Sequence, residues 1–490
     1  MRMMTLLGLL LAVLGCRKQA NKPDELTSPE TATQRRPNVI VIYSDDHGFA
    51  DLRCQQVDEN IKTPHLDEMA AAGLRCTYGY VSAPQCVPSR AGLLTGRYQQ
   101  RFGVEDNFDG PLPLAERTIA ELLQPAGYVS GQVGKWHLEQ LSVRPHGEGG
   151  VAAHEPDGST NVPMGRHDPF LPAGQGFDEY FCGAMNTYIA SHDLQGAKLR
   201  DAPDLVMDRR FRIDVQTEAA TSFIRRHREE SFFLYVAYFA PHVPLESPEP
   251  WFSQTDRELP LQRRQALAMM AAMDDGVGRI RRLLRDLDIA QDTLLFFISD
   301  NGAPLMPGAW DGSLNTPLVG EKGMLTDGGT RTPFLVEWPG RLPANVVYEH
   351  PVFNLDVAAT ALAVAGLPPD DTLDGVNLLP YLNNERPDPP HTALFWRWRS
   401  QAAVLQDGWK LIRVGDREQY LFDLASPESE RRNRLRDDPQ RAAELRSKLD
   451  AWSLQLAPPG LPSKVTRQDE VFYRTHLLSD DIPDRDADDD

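Results

Sequence analysis

Two pairs of oxygen-bearing side chains in this chain follow apolar runs, and these side chains are suited to hold a metal ion. Asp45 and Asp46 end one such run, and Asp300 and Asn301 end another. Runs of this kind are typical of buried parallel strands, whose carboxyl ends form ligand sites in α/β folds. Adjacent carboxylates repel unless a cation lies between them, and hard oxygen ligands suit calcium or magnesium. Either pair alone could be a solvated turn after a strand, but two strands of the same design favour a metal site.

A cysteine between these two strands could supply a nucleophile. Cys86 is followed by Val-Pro-Ser and Arg90, and then by Ala-Gly-Leu-Leu-Thr-Gly-Arg. Alone, the run could be a buried cysteine before a helix that begins at Pro88, because proline fits a first helical turn and cysteine is often buried. We predict a helix over 88–95, whose amino end would direct backbone N–H groups at an anion.

Lysines and histidines recur in three further runs. Lys135 and His137 flank a tryptophan in the run Gly-Lys-Trp-His-Leu, and His242 lies in Ala-Pro-His-Val-Pro after an apolar strand. Lys322 lies in a glycine-rich segment that ends Asp-Gly-Gly-Thr-Arg-Thr-Pro, where glycine permits close backbone approach. Taken singly, these could be surface side chains, a histidine in a proline-rich loop and a glycine-rich hairpin.

Together, and in their order along the chain, the runs resemble the type I sulfatase family from about residue 37 to residue 424. In that family a separate maturation enzyme oxidises the motif cysteine to formylglycine, whose hydrated aldehyde is the nucleophile. The resemblance implies a catalytic set of Cys86, Arg90, Lys135, His137, His242 and Lys322. It implies that one Ca²⁺, or alternatively Mg²⁺, is bound by Asp45, Asp46, Cys86, Asp300 and Asn301.

The resemblance also assigns roles within the catalytic set. Arg90, Lys135 and Lys322 would neutralise the sulfate. His137 would serve the formylglycine hydroxyl groups, and His242 would protonate the leaving alcohol. Such groups are needed because attack on a negatively charged sulfate ester requires an activated nucleophile and neutralised charge.

The implied activity is hydrolysis of sulfate esters, and we expect the substrate to be a sulfated carbohydrate. Relatives with the same nucleophile motif hydrolyse phosphonate monoesters or phosphodiesters, so that activity is an alternative. A surface glycan-binding protein with a relic active site is a second alternative, but it should lack catalytic groups and none is missing here. Trp396, Trp398 and Arg399 form a candidate sugar-facing cluster, but core packing and a surface arginine are the favoured interpretation for most of them.

The resemblance implies an α/β fold: an alkaline-phosphatase-like mixed sheet sandwiched by helices, with a smaller C-terminal antiparallel-sheet subdomain. Apolar periodicity predicts helices over 64–72, 88–95, 115–124, 214–228, 263–287, 354–365 and 442–456. Short strands are predicted over 393–398, 402–406, 409–414 and 419–423. We expect a long loop over the site at 144–176. The predicted regions are a catalytic domain at 37–384, the subdomain at 385–460 and an acidic tail at 461–490.

Composition limits the classes of partner. The chain has 490 residues and a net charge of −19, which argues against nucleic acid because phosphate binding needs a basic surface. Its 41% hydrophobic and 25% charged residues are ordinary for a globular protein. A polyanionic substrate must therefore meet a local basic pocket on an acidic body.

The N-terminal segment resembles a bacterial lipoprotein signal. A short positive region precedes an apolar run from Thr5 to Leu14, which is too short to span a bilayer. The run ends Leu-Gly before Cys16, as in a lipobox. We expect a signal peptide over 1–16, lipid on Cys16 and a tether over 17–36, with an ordinary secretory signal as the alternative. The protein would then be exported to the periplasm or cell surface and would meet the membrane only through this anchor.

The remaining cysteines leave a disulfide undecided. Of five cysteines, Cys54, Cys76 and Cys182 remain after Cys16 and Cys86 are assigned. An exported location permits a disulfide, and Cys54 with Cys76 is the nearer pair. Buried free thiols are an equal alternative.

Overall fold

The apolar runs of the sequence form strands in a computed structural model that describes residues 35–139 and 168–477, except Arg417, Pro459 and Ser463. The strands, numbered in chain order, are β1 (Asn38–Asp45), β2 (Leu74–Cys76), β3 (Gly79–Tyr80), β4 (Val129–Gly134), β5 (Glu179–Cys182), β6 (Asn186–Ala190), β7 (Asp204–Asp208), β8 (Phe232–Pro241), β9 (Thr293–Ser299), β10 (Phe334–Glu337), β11 (Val346–Tyr348), β12 (Val352–Phe353), β13 (Leu394–Trp398), β14 (Gln401–Gln406), β15 (Trp409–Val414) and β16 (Glu418–Asp423). The helices are α1 (Pro64–Ala72), α2 (Cys86–Thr95), α3 (Ile119–Leu123), α4 (Arg212–Arg226), α5 (Leu261–Asp286), α6 (Asp327–Thr330), α7 (Asp356–Val364), α8 (Leu379–Leu382), α9 (Pro439–Ser453) and α10 (Arg467–His476).

The main sheet is mixed, and its centre is parallel. Within the described residues its order is β11-β2-β10-β9-β1-β8-β4-β5-β6-β7, with β9, β1, β8, β4 and β5 parallel to one another. In the register of β1 and β9, Ser44 lies opposite Ser299. The two strands therefore end level, and the acidic residues that follow them meet at one edge of the sheet.

Helices cover both faces of this sheet. Val39, Val41 and Tyr43 pack on one face with α2, α3 and α7, whereas Ile40 and Ile42 pack on the other with α1, α4 and α5. Because β1 is buried on both faces, its sequence is apolar throughout rather than alternating. The predicted α/β sandwich is confirmed.

A second sheet lies in the C-terminal part, as predicted. β13, β14, β15 and β16 are antiparallel in sequence order. Trp396 and Trp398 are fully buried in its core, and the Trp396 indole donates to Val81 O at 2.7 Å. The sugar-facing interpretation is therefore wrong for both tryptophans. Arg399 donates to Asp106 Oδ2 at 2.7 Å, so its guanidinium ties this sheet to the loop after α2.

The core of the C-terminal sheet continues into the catalytic part. Tyr80, Met324 and Leu325 pack in the same apolar cluster as Trp396 and Leu449 of α9. The described residues from Arg36 onward form one compact unit. The predicted catalytic domain and the predicted C-terminal subdomain thus share this apolar cluster.

Most predicted helix ends differ from the observed ends by at most three residues. The exception is the helix predicted over 115–124, which begins only at Ile119 because Thr118 is its N-cap. Thr118 and Glu121 form a reciprocal capping box, a strong start signal for a helix. In the glycine-rich segment the chain forms the short helix α6 rather than a hairpin.

Part of the predicted acidic tail is an ordered helix. Residues inside it form α10, whose Asp469, Phe472 and Tyr473 are buried. Apolar contact with the C-terminal sheet orders this part despite its charge. The end of the tail from residue 478, the loop prediction before residue 168, and the signal peptide, lipid anchor and tether before residue 35 lie outside the described residues. No helix in the described ranges is long and apolar enough to cross a membrane.

The described cysteines are free thiols. Cys76 packs in the apolar cluster on one face of the sheet, whereas Cys54 packs against the cluster on the other. A bond between them is excluded because the sheet separates their side chains. Of the two alternatives, free thiols are correct.

Candidate active site

The carboxylates at the ends of β1 and β9 form the base of the site. Asp46 has a positive φ of 60°, which turns the chain back so that its backbone N–H donates to Asp300 Oδ1 at 3.1 Å. Asn301 Nδ2 donates to Asp46 Oδ1 at 2.6 Å. Asp45, Asp46, Asp300 and Asn301 are all buried. The strand register thus brings the predicted metal ligands together.

Cys86 lies above these carboxylates. The helix α2 begins at Cys86 itself, two residues before the predicted start. The Cys86 thiol Sγ lies 3.6 Å from Asp45 Oδ1 and 4.0 Å from Asp46 Oδ1. Burial raises the pKa of Cys86 to about 12, so at neutral pH the group is a thiol and a poor nucleophile. Cys86 is in the right place for a nucleophile but in the wrong chemical state.

The other polar residue of the cysteine motif is structural. The Ser89 and Tyr43 hydroxyl groups are hydrogen-bonded at 2.8 Å, and Asn354 Nδ2 donates to Ser89 O at 3.1 Å. These bonds tie α2 to β1 in a buried region. They explain why a small hydroxyl side chain precedes Arg90 in the motif.

Three cationic side chains surround the cluster, and each pairs with a carboxylate. Lys135 Nζ lies 2.9 and 2.7 Å from the two Asp45 oxygens. Lys322 Nζ lies 2.7 and 2.8 Å from the Asp46 oxygens and 3.3 Å from Cys86 Sγ. The third cation is Arg90, whose guanidinium donates to Asp300 Oδ2 at 2.6 Å and lies 3.4 Å from Asp45 Oδ1.

The pairing decides the charge states of the carboxylates. Burial alone would raise the pKa of Asp45, but Lys135, His242 and Arg90 together hold it well below its usual value. Burial, and then repulsion from Asp45, raises the pKa of Asp300 to about 7. Asp300 is thus repelled by the neighbouring carboxylate of Asp45, and a cation between the two would relieve this repulsion.

His242 has a defined tautomer. Its Nδ1 is hydrogen-bonded to Val243 O at 2.6 Å, and a carbonyl can only accept, so Nδ1 carries a proton. The other ring nitrogen, Nε2, lies 3.7 Å from Asp46 Oδ2. Burial lowers the pKa of His242 to about 4, against the attraction of Asp45 and Asp46. Nε2 is therefore the atom that gains and loses a proton inside the site.

His137 follows the Lys135 turn. Trp136 anchors this turn because its buried indole donates to Phe170 O at 2.8 Å. His137 has a φ of 60°, and its Nδ1 has no hydrogen-bond partner in the described part of the chain. Burial, then the charges of Lys135 and Arg90, hold the pKa of His137 well below its usual value. A neutral imidazole in this position can accept a proton.

The donor atoms fit a hard divalent cation. One ligand atom each from Asp45, Asp46, Cys86 and Asp300 lies within 4.8 Å of the others. The Asn301 Oδ1 oxygen is buried and has no hydrogen-bond partner in the described structure. A buried carbonyl oxygen beside carboxylates is a ligand suited to calcium or magnesium. The oxygen atoms of Asp45, Asp46, Asp300 and Asn301 are therefore ligands of the type that a hard divalent cation prefers.

Two residues that support the site were not predicted from the sequence. Phe239 packs against the His242 ring with centroids 4.9 Å apart, and Lys135 Nζ lies 4.9 Å from the Phe239 centroid. Arg212 donates to His242 O at 2.8 Å and to Pro244 O at 2.7 Å. No sequence pattern shows these contacts, because they join α4 to the residues that end β8.

Comparisons with known proteins cover both parts of the chain. The sequence model of the family named Sulfatase matches residues 37–367, and that named N-sulphoglucosamine sulphohydrolase, C-terminal, matches residues 320–455. The chain is 33% identical over 426 residues to N-acetylgalactosamine-6-sulfatase of Homo sapiens, covering 77% of this chain and 74% of that protein. It is 30% identical over 418 residues to arylsulfatase A of Homo sapiens, covering 81% and 77%. The crystal structure of Ps i-CgsB in complex with k-i-k-neocarrahexaose is similar, with a TM-score of 0.72 and 26% identity over 91% of this chain and 98% of that chain.

Proposed function

This chain belongs to the sulfatase family and is a sulfate-ester hydrolase, and we propose that it acts on a sulfated carbohydrate through a formylglycine made from Cys86 and one bound Ca²⁺. The observation that carries this proposal is the meeting of Cys86 with three carboxylates and three cationic side chains in one buried site. Relatives named for a sulfated sugar, and a similar structure bound to a neocarrahexaose, support the carbohydrate substrate. Mg²⁺ is the second choice of metal.

The charges of the site suit a sulfate ester. Arg90, Lys135 and Lys322 offset the three carboxylates Asp45, Asp46 and Asp300. With a divalent cation held by these carboxylates and Asn301, the site would have a net positive charge that complements sulfate. The cation would supply electrostatic stabilisation of the charge that develops at the sulfate oxygens, and formylglycine at position 86 would supply a hydroxyl nucleophile.

Two histidines divide the proton transfers. His242 Nε2 faces the site and would give its proton to the leaving oxygen, while the Val243 carbonyl holds the ring in the required tautomer. His137 is held neutral and would accept a proton from the hydroxyl groups at position 86. The two imidazoles thus act on opposite sides of the cleaved bond.

The test of this function is turnover by protein made together with a formylglycine-generating enzyme. We expect nitrophenyl sulfate to be hydrolysed with a higher kcat/KM than the matching phenyl phosphonate, and sulfated mono- and polysaccharides to be desulfated. A preference for the phosphonate would establish the alternative activity as a phosphonate monoester or phosphodiester hydrolase. Binding of sulfated glycans without any turnover by formylglycine-containing protein would establish the non-catalytic alternative.

Replacing His242 with alanine should affect substrates unequally. A sugar alcohol is a poor leaving group that needs a proton in the transition state, whereas nitrophenol leaves largely unaided. General acid catalysis is worth about 10²–10⁴ in rate, so we expect a loss of that size on sugar sulfates and a far smaller loss on nitrophenyl sulfate. The measurement is kcat/KM on both substrates, with His350→Ala, an exposed histidine elsewhere, as the matched control.

The pH profile checks the same assignment. Burial lowers the pKa of His242 to about 4, so the fraction of His242 that carries the proton falls as pH rises through that value. The rate on sugar sulfates should therefore fall as pH rises. His242→Ala should lose this dependence. Equal losses on the two substrates, with an unchanged profile, would show that another group is the acid.

We also propose that the protein is an exported bacterial lipoprotein with lipid on Cys16, on the evidence of the signal-like N-terminal sequence. Metabolic labelling with radioactive palmitate should label the wild-type chain and the Cys54→Ser control, and both should fractionate with membranes. Cys16→Ser should remove the label and block processing or release the protein. A native soluble chain whose first residue is not Cys16 would instead support an ordinary secretory signal.

A further inference from the structure

The helix α10, close to the end of the chain, lies against the loop that carries Lys322. Four of its residues recur at i, i+3, i+4 and i+7 and so share one helix face: Asp469, Phe472, Tyr473 and His476. We propose that this face positions Lys322 for the reaction, acting through Gln401 and Glu321. The proposal rests on the proposed function, in which the Lys322 ammonium contacts the sulfate.

The first connection runs through Gln401, a fully buried side chain. Its Nε2 donates to Gly323 O at 2.8 Å and to Asp469 Oδ1 at 2.9 Å. Its Oε1 accepts from Leu325 N at 3.1 Å and from the Tyr473 hydroxyl at 2.8 Å. One amide group therefore uses both donors and both acceptor positions to join the backbone after Lys322 to two residues of α10.

The second connection holds the residue before Lys322. His476 Nε2 lies 2.7 Å from Glu321 Oε1, and the carboxylate can only accept, so Nε2 donates. The other oxygen of Glu321 accepts from Met306 N at 2.8 Å and from Leu305 N at 2.5 Å. Glu321 is buried, so these donors supply the hydrogen bonds that its carboxylate needs away from water.

The loop itself has little room to move. Gly323 has a φ of +91°, and a Cβ there would lie 3.2 Å from Phe472 and 3.3 Å from Trp398. Its backbone N–H donates to Pro84 O at 2.9 Å, two residues before Cys86. The loop thus links α10 to the segment that carries the nucleophile. Since a misplacement of about 1 Å can cost about 10² in rate, release of this loop should slow the reaction.

Hydrogen–deuterium exchange tests the positioning without any need for activity. In Gln401→Leu and His476→Leu, amides of the loop 319–326 should exchange faster than in wild type, while those of β1 stay protected. His476→Gln keeps a donor for Glu321 and should restore protection. Arg474→Ala, on the exposed face of α10 where Arg474 pairs with Glu470 at 3.2 Å, is the matched control and should change nothing. Unchanged loop exchange in both leucine variants would overturn the proposal.

A double-mutant cycle then tests whether the effect passes through Lys322. Each leucine variant should lower kcat/KM on nitrophenyl sulfate by about tenfold or more, but should lower it little further in a Lys322→Ala background. Losses that multiply would mean that α10 supports the fold only, which overturns the positioning role. The two proposals can fail separately. If the loop amides respond as expected but the protein has no sulfatase activity, the proposed function is refuted, whereas the mechanical link between α10 and the loop is retained.

Discussion

Replacing Cys86 with alanine should abolish turnover while the protein still folds. The change removes the sulfur that lies 3.6 Å from Asp45, 4.0 Å from Asp46 and 3.3 Å from Lys322 Nζ, and it leaves nothing in its place that could be oxidised to an aldehyde. Loss of a nucleophile costs on the order of 10⁴-fold or more in rate. We expect kcat on nitrophenyl sulfate to fall to the background rate, with bound metal and circular dichroism close to wild type.

Cys86→Ser is the matched control for this prediction. It replaces the thiol at the start of α2 with a hydroxyl group of similar size, so the fold should be retained, with at most a trace of activity. Peptide mass spectrometry of the wild type should find part of residue 86 as the aldehyde when a formylglycine-generating enzyme is present. Fully active protein in which Cys86 is found only as the thiol would refute the modified nucleophile.

Replacing Asp300 should remove both the metal and the activity. Its Oδ2 is paired with Arg90, and both side chains are fully buried, so Asp300→Ala leaves an uncompensated charge that costs about 3–5 kcal/mol of folding free energy. Asp300→Asn is the better variant because it keeps the shape and one acceptor oxygen. We expect elemental analysis to find less than one Ca²⁺ per chain, and activity to fall on the order of 10³-fold.

Glu337→Gln is the control for Asp300→Asn. Glu337 forms a comparable pair with Arg281 at 2.8 Å, remote from the site, so its loss should lower stability without changing metal content. Removing the metal from wild-type protein with a chelator should abolish activity, and added Ca²⁺ should restore it. Full activity in protein whose metal content is verified as zero would contradict the assignment.

The parts of the site that were predictable from sequence are those placed by the sheet. β1 and β9 are buried on both faces, so they read as unbroken apolar runs, and their parallel register alone brings Asp45 close to Asp300. Lys135 and His242 follow β4 and β8 at the same edge for the same reason. Tertiary position follows here from local sequence because parallel strands end together.

The sequence could not decide the positions of side chains whose surroundings come from distant parts of the chain. Trp396 and Trp398 look the same in sequence whether they face a sugar or a core, and only the apolar cluster that they share with distant residues such as Met324 and Leu449 decides. The α10 segment has few apolar residues and was included in the predicted acidic tail. The helical spacing of Asp469, Phe472 and His476 after the N-cap Thr466 was the available signal.

The burial of α2 sets an order of events during biogenesis. Every residue of this helix is buried, and Cys86 is only 1% exposed beneath the loop of Lys322. An enzyme that oxidises Cys86 must reach its thiol, and the folded helix α2 buries that thiol. If Cys86 is converted, the conversion must precede folding. A chain that folds before Cys86 is oxidised would be well folded but permanently inactive. The yield of active enzyme therefore depends on the rate of oxidation relative to the rate of folding.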